Sequence, residues 1–396
     1  MVTQAPYKLE LIPVPRYDEV YRDAVKHMES RILEGGRMAI KPCIVIPSNK
    51  EIFFEYLPSQ AEADIVVVFD GENLPDPLKE KYNRPGVIVY TDKEQDEILG
   101  DKAWVIKRRT AGVRNFGLYM AWKLGYKVVI TTDDDCVLPP DFITQHLKNL
   151  YEPLRSFRYA LGTWYNTLQS EEWFPRGFPY EMRPLYKGTE TKELQFASFH
   201  NKVVCSMGLW RSVVDFNGLD KFGVSGLPHE VSSTEPTLIL SHFPLCSMNS
   251  AVRREATIGL YNVAMGHDIC PGYKLFRLED IWGGYIFQKV AMSLGDWMVV
   301  GDPVVEHIKE GNLVWEIRGE HYGHLMSSHF YRWVDAAASV LSRGLFLAAE
   351  SNSYPMMYAH LTERLLSSLD SVPSFCQPTF QAMALNLVAW TNLFLE

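Results

Sequence analysis

Three carboxylates in a row, Asp133-Asp134-Asp135, follow the apolar run Tyr126–Ile130 (YKVVI) and precede Cys136-Val137-Leu138 and Pro139-Pro140. A buried strand favours residues such as Val128, Val129 and Ile130, and three adjacent acids do not belong inside one. The strand is therefore expected to end at Thr131-Thr132 and to deliver the acids to the rim of a parallel sheet, where α/β proteins bind ligands. Carboxylates so close repel one another. Mg²⁺ or Mn²⁺ bridging a substrate diphosphate relieves that repulsion, because hard cations take oxygen ligands and leave positions for phosphate. A solvated acidic turn is the plain alternative. In an extended backbone alternate side chains share a face, which makes Asp133 and Asp135 the metal ligands and turns Asp134 towards a sugar or ribose.

Four further groups carry chemistry. Asp70-Gly71 follows the apolar run Ile65–Phe69; the glycine lets a ligand approach the backbone, and the acid can accept hydrogen bonds from a uracil or ribose or close an Asx turn. Arg277-Leu278-Glu279-Asp280 precedes Ile281-Trp282-Gly283-Gly284. Acids at a helix start suit its dipole, whereas the functional reading puts Asp280 beside a reacting sugar as hydroxyl ligand or base, with the Trp282 ring under the pocket. His307 follows Pro303-Val304-Val305-Glu306, with Lys309 and Asn312 behind it; its place after a strand-like segment makes it a candidate metal ligand as well as a structural residue. Arg176 and Arg183 lie in an aromatic segment broken by Gly and Pro. Arginine forks onto phosphate, so a diphosphate clamp is one reading and a structural ion pair the other. Lys107-Arg108-Arg109 reads as a basic run near that site, with Arg108 and Arg109 expected on a solvated surface.

The elements that must position these residues show in the apolar pattern. Ile44–Ile46, Ile65–Phe69, Val87–Tyr90 and Val128–Ile130 read as strands, and residues 110–124 as a helix. Continuous apolar strands alternating with helices indicate a parallel sheet covered on both faces. Residues 17–34 carry an amphipathic helical pattern. Residues 155–245 resist assignment. Helices are expected around 252–265 and 279–294, a strand near Trp297–Val300, and apolar helices from about 328 to the end. No GxGxxG follows the first strand, and GxxxxGK[ST] is absent, so dinucleotide and P-loop readings are weak.

Composition sets the class. The 396-residue chain has 47% hydrophobic and 22% charged residues, as soluble globular proteins do. Its net charge of −9 argues against a general nucleic-acid footprint, which needs a basic face. The six cysteines lie far apart without CxxC pairing, and a reducing compartment is the simpler reading. The first residues lack a basic stretch followed by an apolar one, so no secretory signal is expected. No apolar run is long enough to span a bilayer. A soluble, cytoplasmic protein is expected.

In their order along the chain these residues resemble the reversibly glycosylated polypeptide family, whose plant members include UDP-arabinopyranose mutases. The likeness runs from about residue 41 to 315. It rests on Ile46-Pro47, Asp70-Gly71, Ile98-Leu99-Gly100 with Lys102, and Arg114 with Phe116-Gly117. Thr132-Asp133-Asp134-Asp135-Cys136 looks like the family's DDDC signature. His146-Lys148-Asn149-Leu150, Asn166-Thr167-Leu168, Arg176-Gly177 with Arg183, Gly208-Leu209-Trp210, Met248-Asn249, Asp280 with Trp282, and His307 with Lys309 and Asn312 follow. The resemblance implies a nucleotide-diphosphosugar transferase (GT-A-like) fold, mainly parallel sheet flanked by helices, over residues 39–325. Residues 1–38 form an N-terminal helical extension and 326–396 a C-terminal helical appendage in this reading. It implies a UDP-sugar substrate, a divalent metal (Mn²⁺ or Mg²⁺) on Asp133, Asp135 and His307, and substrate contacts from Pro47, Asp70, Gly71, Lys102, Arg114, Asp134, Trp210, Asn249, Trp282 and Lys309. Arg176, Arg183 and Asp280 are the implied catalytic residues. The implied reaction interconverts UDP-arabinopyranose and UDP-arabinofuranose, with reversible self-glycosylation and homo- or hetero-oligomers allowed. A metal-dependent glycosyltransferase acting on an external acceptor, and a non-catalytic self-glycosylated subunit, are the alternatives.

Overall fold

Val45, Val66, Val67, Val129 and Ile130 are wholly buried, and runs of such residues make three of the first four strands, whereas Val87–Tyr90 is half-buried. A computed structural model describes residues 40–396 apart from 53–56, 155–156, 194–201, 213, 223–226, 232–233, 264–276, 309–310 and 345–352. The expected helix at 17–34 and the 1–38 extension lie outside the described residues, as does Lys309. The chain divides at Lys41/Pro42, and the unit Pro42–Glu396 carries everything below.

Among the described residues eleven strands form one sheet: β1 (Cys43–Ser48), β2 (Asp64–Phe69), β3 (Val87–Tyr90), β4 (Val128–Thr132), β5 (Cys136–Val137), β6 (Arg158–Ala160), β7 (Thr191–Glu193), β8 (Val203–Ser212), β9 (Thr237–Ile239), β10 (Asn249–Arg253) and β11 (Trp297–His307). Their order is β3-β2-β1-β4-β10-β8-β11-β9-β6-β7, with β5 paired to β11. The β3-β2-β1-β4 block is parallel throughout. β10 runs antiparallel between β4 and β8, and β8 and β11 are again parallel. The helices are α1 (Asp76–Tyr82), α2 (Asp92–Leu99), α3 (Arg114–Lys123), α4 (Phe142–Tyr151), α5 (Gly218–Lys221), α6 (Glu279–Leu294), α7 (Leu313–Gly344), α8 (Tyr354–Ser367) and α9 (Gln377–Leu395). This is the expected α/β class, a sheet with a parallel β3-β2-β1-β4 block and helices.

The strand order decides where a ligand can bind. The chain builds outward from β1 through β2 to β3, then returns to place β4 on the other side of β1. Connections leave in opposite directions at that point, and a crevice opens at the carboxyl ends of β1 and β4. Because β10 is antiparallel to β4, with Asn249 opposite Thr132, the residues just before β10 reach the same edge. β8 and β11 also end there, at Ser212 and His307.

Close packing holds the frame. α3 lies so near the sheet that a Cβ at Gly117 would come within 2.5 Å of the Val45 side chain and 2.6 Å of Val68. α6 approaches the preceding loop as tightly, since a Cβ at Gly283 would meet the Tyr261 carbonyl oxygen at 1.9 Å. Glycine is required at both positions, and the second fixes where Glu279 and Asp280 stand. The C-terminal helices pack on this frame: Trp282 of α6 stacks on Phe330 of α7 at 4.2 Å, and Trp390 of α9 stacks on Tyr261 at 4.9 Å.

Two local expectations need correction. The helix expected over 252–265 is instead the end of β10 followed by a 3₁₀ segment, Arg254–Leu260. Helical apolar spacing is present there, but pairing with β4 and β8 takes precedence. Within the unassigned 155–245 stretch lies β8, eight of whose ten residues are buried. The helix at 279–294 forms as expected, and the strand near Trp297–Val300 extends to His307.

Candidate functional site

The carboxyl edge between β1 and β4 holds two cavities of about 360 and 330 Å³, which share Ala111, Arg114, Asp133 and Asp135 as a common wall. The outer one is lined by Pro47, Ser48 and Asn49 from the end of β1, by Asp70 after β2, and by Arg109, Thr110 and Val113. The inner one runs under Ser247 and Met248 to Arg176, Asp215, Arg277, Glu279, Asp280, His307 and Glu316.

The acidic triplet is the hinge of this arrangement. Asp133 to Asp135 leave β4 in a tight turn, with Cys136 N–H donating to the Asp133 carbonyl at 3.4 Å. The turn, rather than strand alternation, separates their side chains. Asp134 accepts from Ser48 Oγ at 2.6 Å and pairs with Lys50 at 3.0 Å. Burial pushes its carboxyl above the usual range despite these two partners. Asp133 accepts from Arg114, whose guanidinium also donates to Thr131 Oγ1 at 3.0 Å and to the Ser247 carbonyl at 2.8 Å. Burial opposes the charge on Arg114, but Asp133 outweighs it and holds the guanidinium protonated. Asp135 stands 3.7 Å from His307 Nε2, because β5 folds back so that Cys136 lies opposite His307.

The inner cavity has an ion-paired floor. Arg176 is 7% exposed. Its terminal nitrogens donate to the two Asp280 oxygens at 3.0 and 3.1 Å, and its Nε donates to Asp215 at 2.7 Å. Burial works against this charge too, yet Asp215 and Asp280 together raise the guanidinium well above its ordinary range. Asp280 also accepts from the N–H groups of Ser247 and Ile281, at 3.2 and 3.0 Å. Arg277, held at φ 66°, reaches Glu320 at 2.8 Å, Glu316 at 3.4 Å and Asp215 at 3.5 Å.

Several residues expected at the site from the sequence lie elsewhere. Arg183 forks onto Asp220 at 2.8 Å through both nitrogens and covers the Tyr180 ring at 3.9 Å, lining neither cavity. Lys102 pairs with Glu396 on the surface. Trp210 and Trp282 are buried in the core, where Trp282 donates to Ser327 at 3.1 Å. Asn249 joins β8, β10 and β11 by donating to the Leu209 and Pro303 carbonyls at 2.9 Å, and it meets His146 Nε2 at 2.9 Å. Gly71 accepts from the Asp92 N–H and lines neither cavity. In each case the side chain or backbone turns into the core or to a different face.

Arg109 is exposed, as expected, but it also lines the outer cavity. The left-handed backbone there (φ 59°) aims its N–H at both Asp70 oxygens, at 3.0 and 2.8 Å, and its guanidinium at one of them, at 2.8 Å. It is an anchored part of the outer cavity, not only a solvated charge. Asp215, Ser247, Lys221, Glu279 and Glu316 also line the inner cavity, beyond the residues expected from the sequence. Glu279 had a signal in its position beside Asp280, whereas nothing local marks Asp215.

The match to known families follows this geometry. The model of the reversibly glycosylated polypeptide family matches residues 44–395. The chain belongs to that family. The match takes in the C-terminal helices as well as the sheet, so reversibly glycosylated polypeptides share the whole described unit. No curated protein matches the chain. Among solved structures, the crystal structure of S. aureus TarS 1-349 is 12% identical, covering 89% of this chain and 90% of that one, with a TM-score of 0.35. The same TarS segment in complex with UDP is 13% identical over 89% and 90%, with a TM-score of 0.34.

Among the described residues no helix is long and apolar enough to cross a membrane. The five described cysteines are free and buried.

Proposed function

We propose that this protein binds a UDP-sugar across the two cavities and interconverts the pyranose and furanose forms of UDP-arabinose. The observation that carries the reading is the meeting of the two cavities at Asp133, Asp135 and Arg114, on the sheet edge where a diphosphate would join a nucleoside to a sugar. Family membership supports the substrate class. In this reading the nucleoside occupies the outer cavity beside Pro47 and Asp70, and the sugar the inner one.

Asp133, Asp135 and His307 would be the protein's donors to a divalent cation. Two carboxylates and an imidazole suit Mn²⁺ or Mg²⁺, the imidazole favouring Mn²⁺. Among the described residues no group of three His, Cys, Asp or Glu side chains is placed to hold a metal alone, so diphosphate oxygens would complete the shell. When bound, the cation supplies charge stabilisation to the departing diphosphate. Arg114 fixes the orientation of Asp133, and its charge offsets part of the repulsion among the acids. Arg176 favours the ionised form of Asp215 and holds both Asp215 and Asp280 in place around the sugar. Isomerisation exchanges O5 for O4 at C1 and moves one proton from the O4 hydroxyl to O5, leaving UDP attached at the end.

The test incubates purified protein with UDP-arabinopyranose and Mn²⁺ without acceptor, then separates the nucleotide sugars by chromatography. UDP-arabinofuranose without net UDP release is expected. Free UDP with arabinose, or unchanged substrate, would count against isomerisation.

A further inference from the structure

Six carboxylates line the inner cavity: Asp133, Asp135, Asp215, Glu279, Asp280 and Glu316. Five have a cationic or imidazole partner. Asp133 meets Arg114, Asp135 lies by His307, Asp215 and Asp280 share Arg176, and Glu316 pairs with Lys221 at 2.9 Å. Glu279 alone has no ion pair among the described residues, although it is 3% exposed. Arg277, two residues before it, is committed to Asp215, Glu316 and Glu320. A carboxyl that lines a cavity, is shielded from solvent and has no fixed counter-charge is suited to exchange a proton with whatever fills the space.

We infer that Glu279, rather than its neighbour Asp280, is the group that takes a proton from one sugar hydroxyl and returns it to another. The inference rests on the UDP-sugar isomerase reading above. Asp280 is poorly placed for proton exchange, since both of its oxygens are held by Arg176, and Ser247 and Ile281 add two N–H donors. Protonating it would break that ion pair. Glu279 is the opposite case. Burial and the nearby Asp280 charge raise its carboxyl to about 7, against the pull of Arg176 and of backbone N–H groups at the start of α6. The other charged groups around the cavity are Arg277, Asp215, Lys221 and Glu316 on one side and Arg114, Asp133, Asp135 and His307 on the other. An acid balanced near neutrality is present in both forms, as a group that must both accept and give back a proton requires.

The step balances without a further reactant. The diphosphate oxygen leaves C1 with the bonding electron pair, the O4 oxygen bonds to C1, and the O4 proton passes to the Glu279 carboxylate. As the C1–O5 bond breaks with its electron pair on oxygen, the Glu279 carboxylic acid returns that proton to O5, and the diphosphate oxygen bonds to C1 again. Nothing is oxidised or reduced, and Glu279 ends as it began.

The experiment compares wild-type, Glu279→Gln and Glu279→Asp proteins for conversion of UDP-arabinopyranose between pH 5 and 9, with UDP affinity measured by calorimetry in parallel. Wild-type turnover should bend near pH 7. Glu279→Gln should lose about 100-fold or more in turnover, together with that bend, while binding UDP within a few-fold of wild type. Glu279→Asp keeps a titratable group and should recover part of the rate, with a displaced bend. A Glu279→Gln protein with the wild-type rate and pH profile would refute the inference and leave the isomerase reading intact. Loss of UDP binding in Glu279→Gln would make the residue structural and refute it as well. A wild-type protein that fails to bind UDP, or binds it without converting the sugar, would remove the isomerase reading and this inference with it.

Discussion

Arg176 grips Asp280 with both terminal nitrogens and Asp215 with Nε, so one buried guanidinium neutralises two acids contributed by different parts of the chain. Asp215 follows β8 and Asp280 opens α6, and Arg176 is the bridge between them. Removing one member of a buried ion pair leaves an uncompensated charge, at a cost of about 3–5 kcal/mol. Arg176→Ala is therefore expected to lower the unfolding free energy by roughly that amount, read from urea titration. Arg176→Lys keeps the charge but cannot fork; it should be less destabilised, yet lose about 100-fold in turnover through misplacement of Asp280. An Arg176→Lys protein as active as wild type would show that the bridge does not shape the site.

The three acids should respond unequally to substitution. Asp134 is occupied by Ser48 and Lys50, whereas Asp135 faces His307 at the wall shared by the cavities. Asp135→Asn is expected to weaken Mn²⁺ binding in the presence of UDP by about 10-fold or more, the scale of losing a metal-site residue. Asp134→Asn should change it only a few-fold, while loosening the end of β1. Electron paramagnetic resonance of Mn²⁺ titrated into protein and UDP measures both. Equal losses from the two variants, or none from Asp135→Asn, would remove Asp135 from the metal site.

What the sequence reveals here is mostly what strands do locally. The apolar runs of β1, β2 and β4 end in Ser48, Asp70 and Asp133, and a parallel sheet carries its strand ends to one edge, so the outer cavity could be read from order and residue type. The inner cavity could not. Its floor joins Arg176, Asp215 and Asp280, separated by 39 and 65 residues in sequence (215 − 176 and 280 − 215), and only the tertiary fold brings them together. The ordered family-like motifs also mix two kinds of residue. Asp133 and Arg176 face the cavities, whereas Asn249, Trp210 and Trp282 hold the core. Order along the chain does not say which way a side chain points. For β10 the difficulty was different, since its apolar spacing continues into a 3₁₀ segment that looks helical.

A second buried acid makes stability depend on pH, away from the site. Asp296, 7% exposed, accepts a hydrogen bond from Tyr354 at 2.8 Å, and burial raises its carboxyl from 3.8 to about 6. Between these values the folded chain holds a proton that the unfolded chain has released, so stability falls as pH rises from about 4 to 6 and is constant above. The loss is about 2–3 kcal/mol at pH 7. Asp296→Asn keeps an acceptor for Tyr354 and cannot ionise. It should be more stable than wild type at pH 7 and differ little at pH 4, as thermal unfolding at the two values can show. A variant less stable than wild type at pH 7 would mean that the charge, rather than its burial, is what the fold needs.

The last helix is expected to matter to the sheet as a structural part of the unit. Trp390 is fully buried, donates its Nε1–H to the Ile258 carbonyl at 2.9 Å and stacks on Tyr261. Ile258 sits in the 3₁₀ segment that directly follows β10, and the Tyr261 carbonyl lies against the backbone of α6 at Gly283. Trp390 therefore supports both elements that bring Ser247 and Asp280 to the inner cavity. Truncation of a buried aromatic side chain costs about 3–5 kcal/mol, and the freed Ile258 carbonyl adds to that cost. Trp390→Ala should lower the urea midpoint accordingly, and the midpoint should be the same by tryptophan fluorescence and by far-ultraviolet circular dichroism, because one unit unfolds. Two separated transitions, with the sheet melting at its wild-type midpoint, would mean that the C-terminal helices form a detachable appendage and that the site does not depend on them.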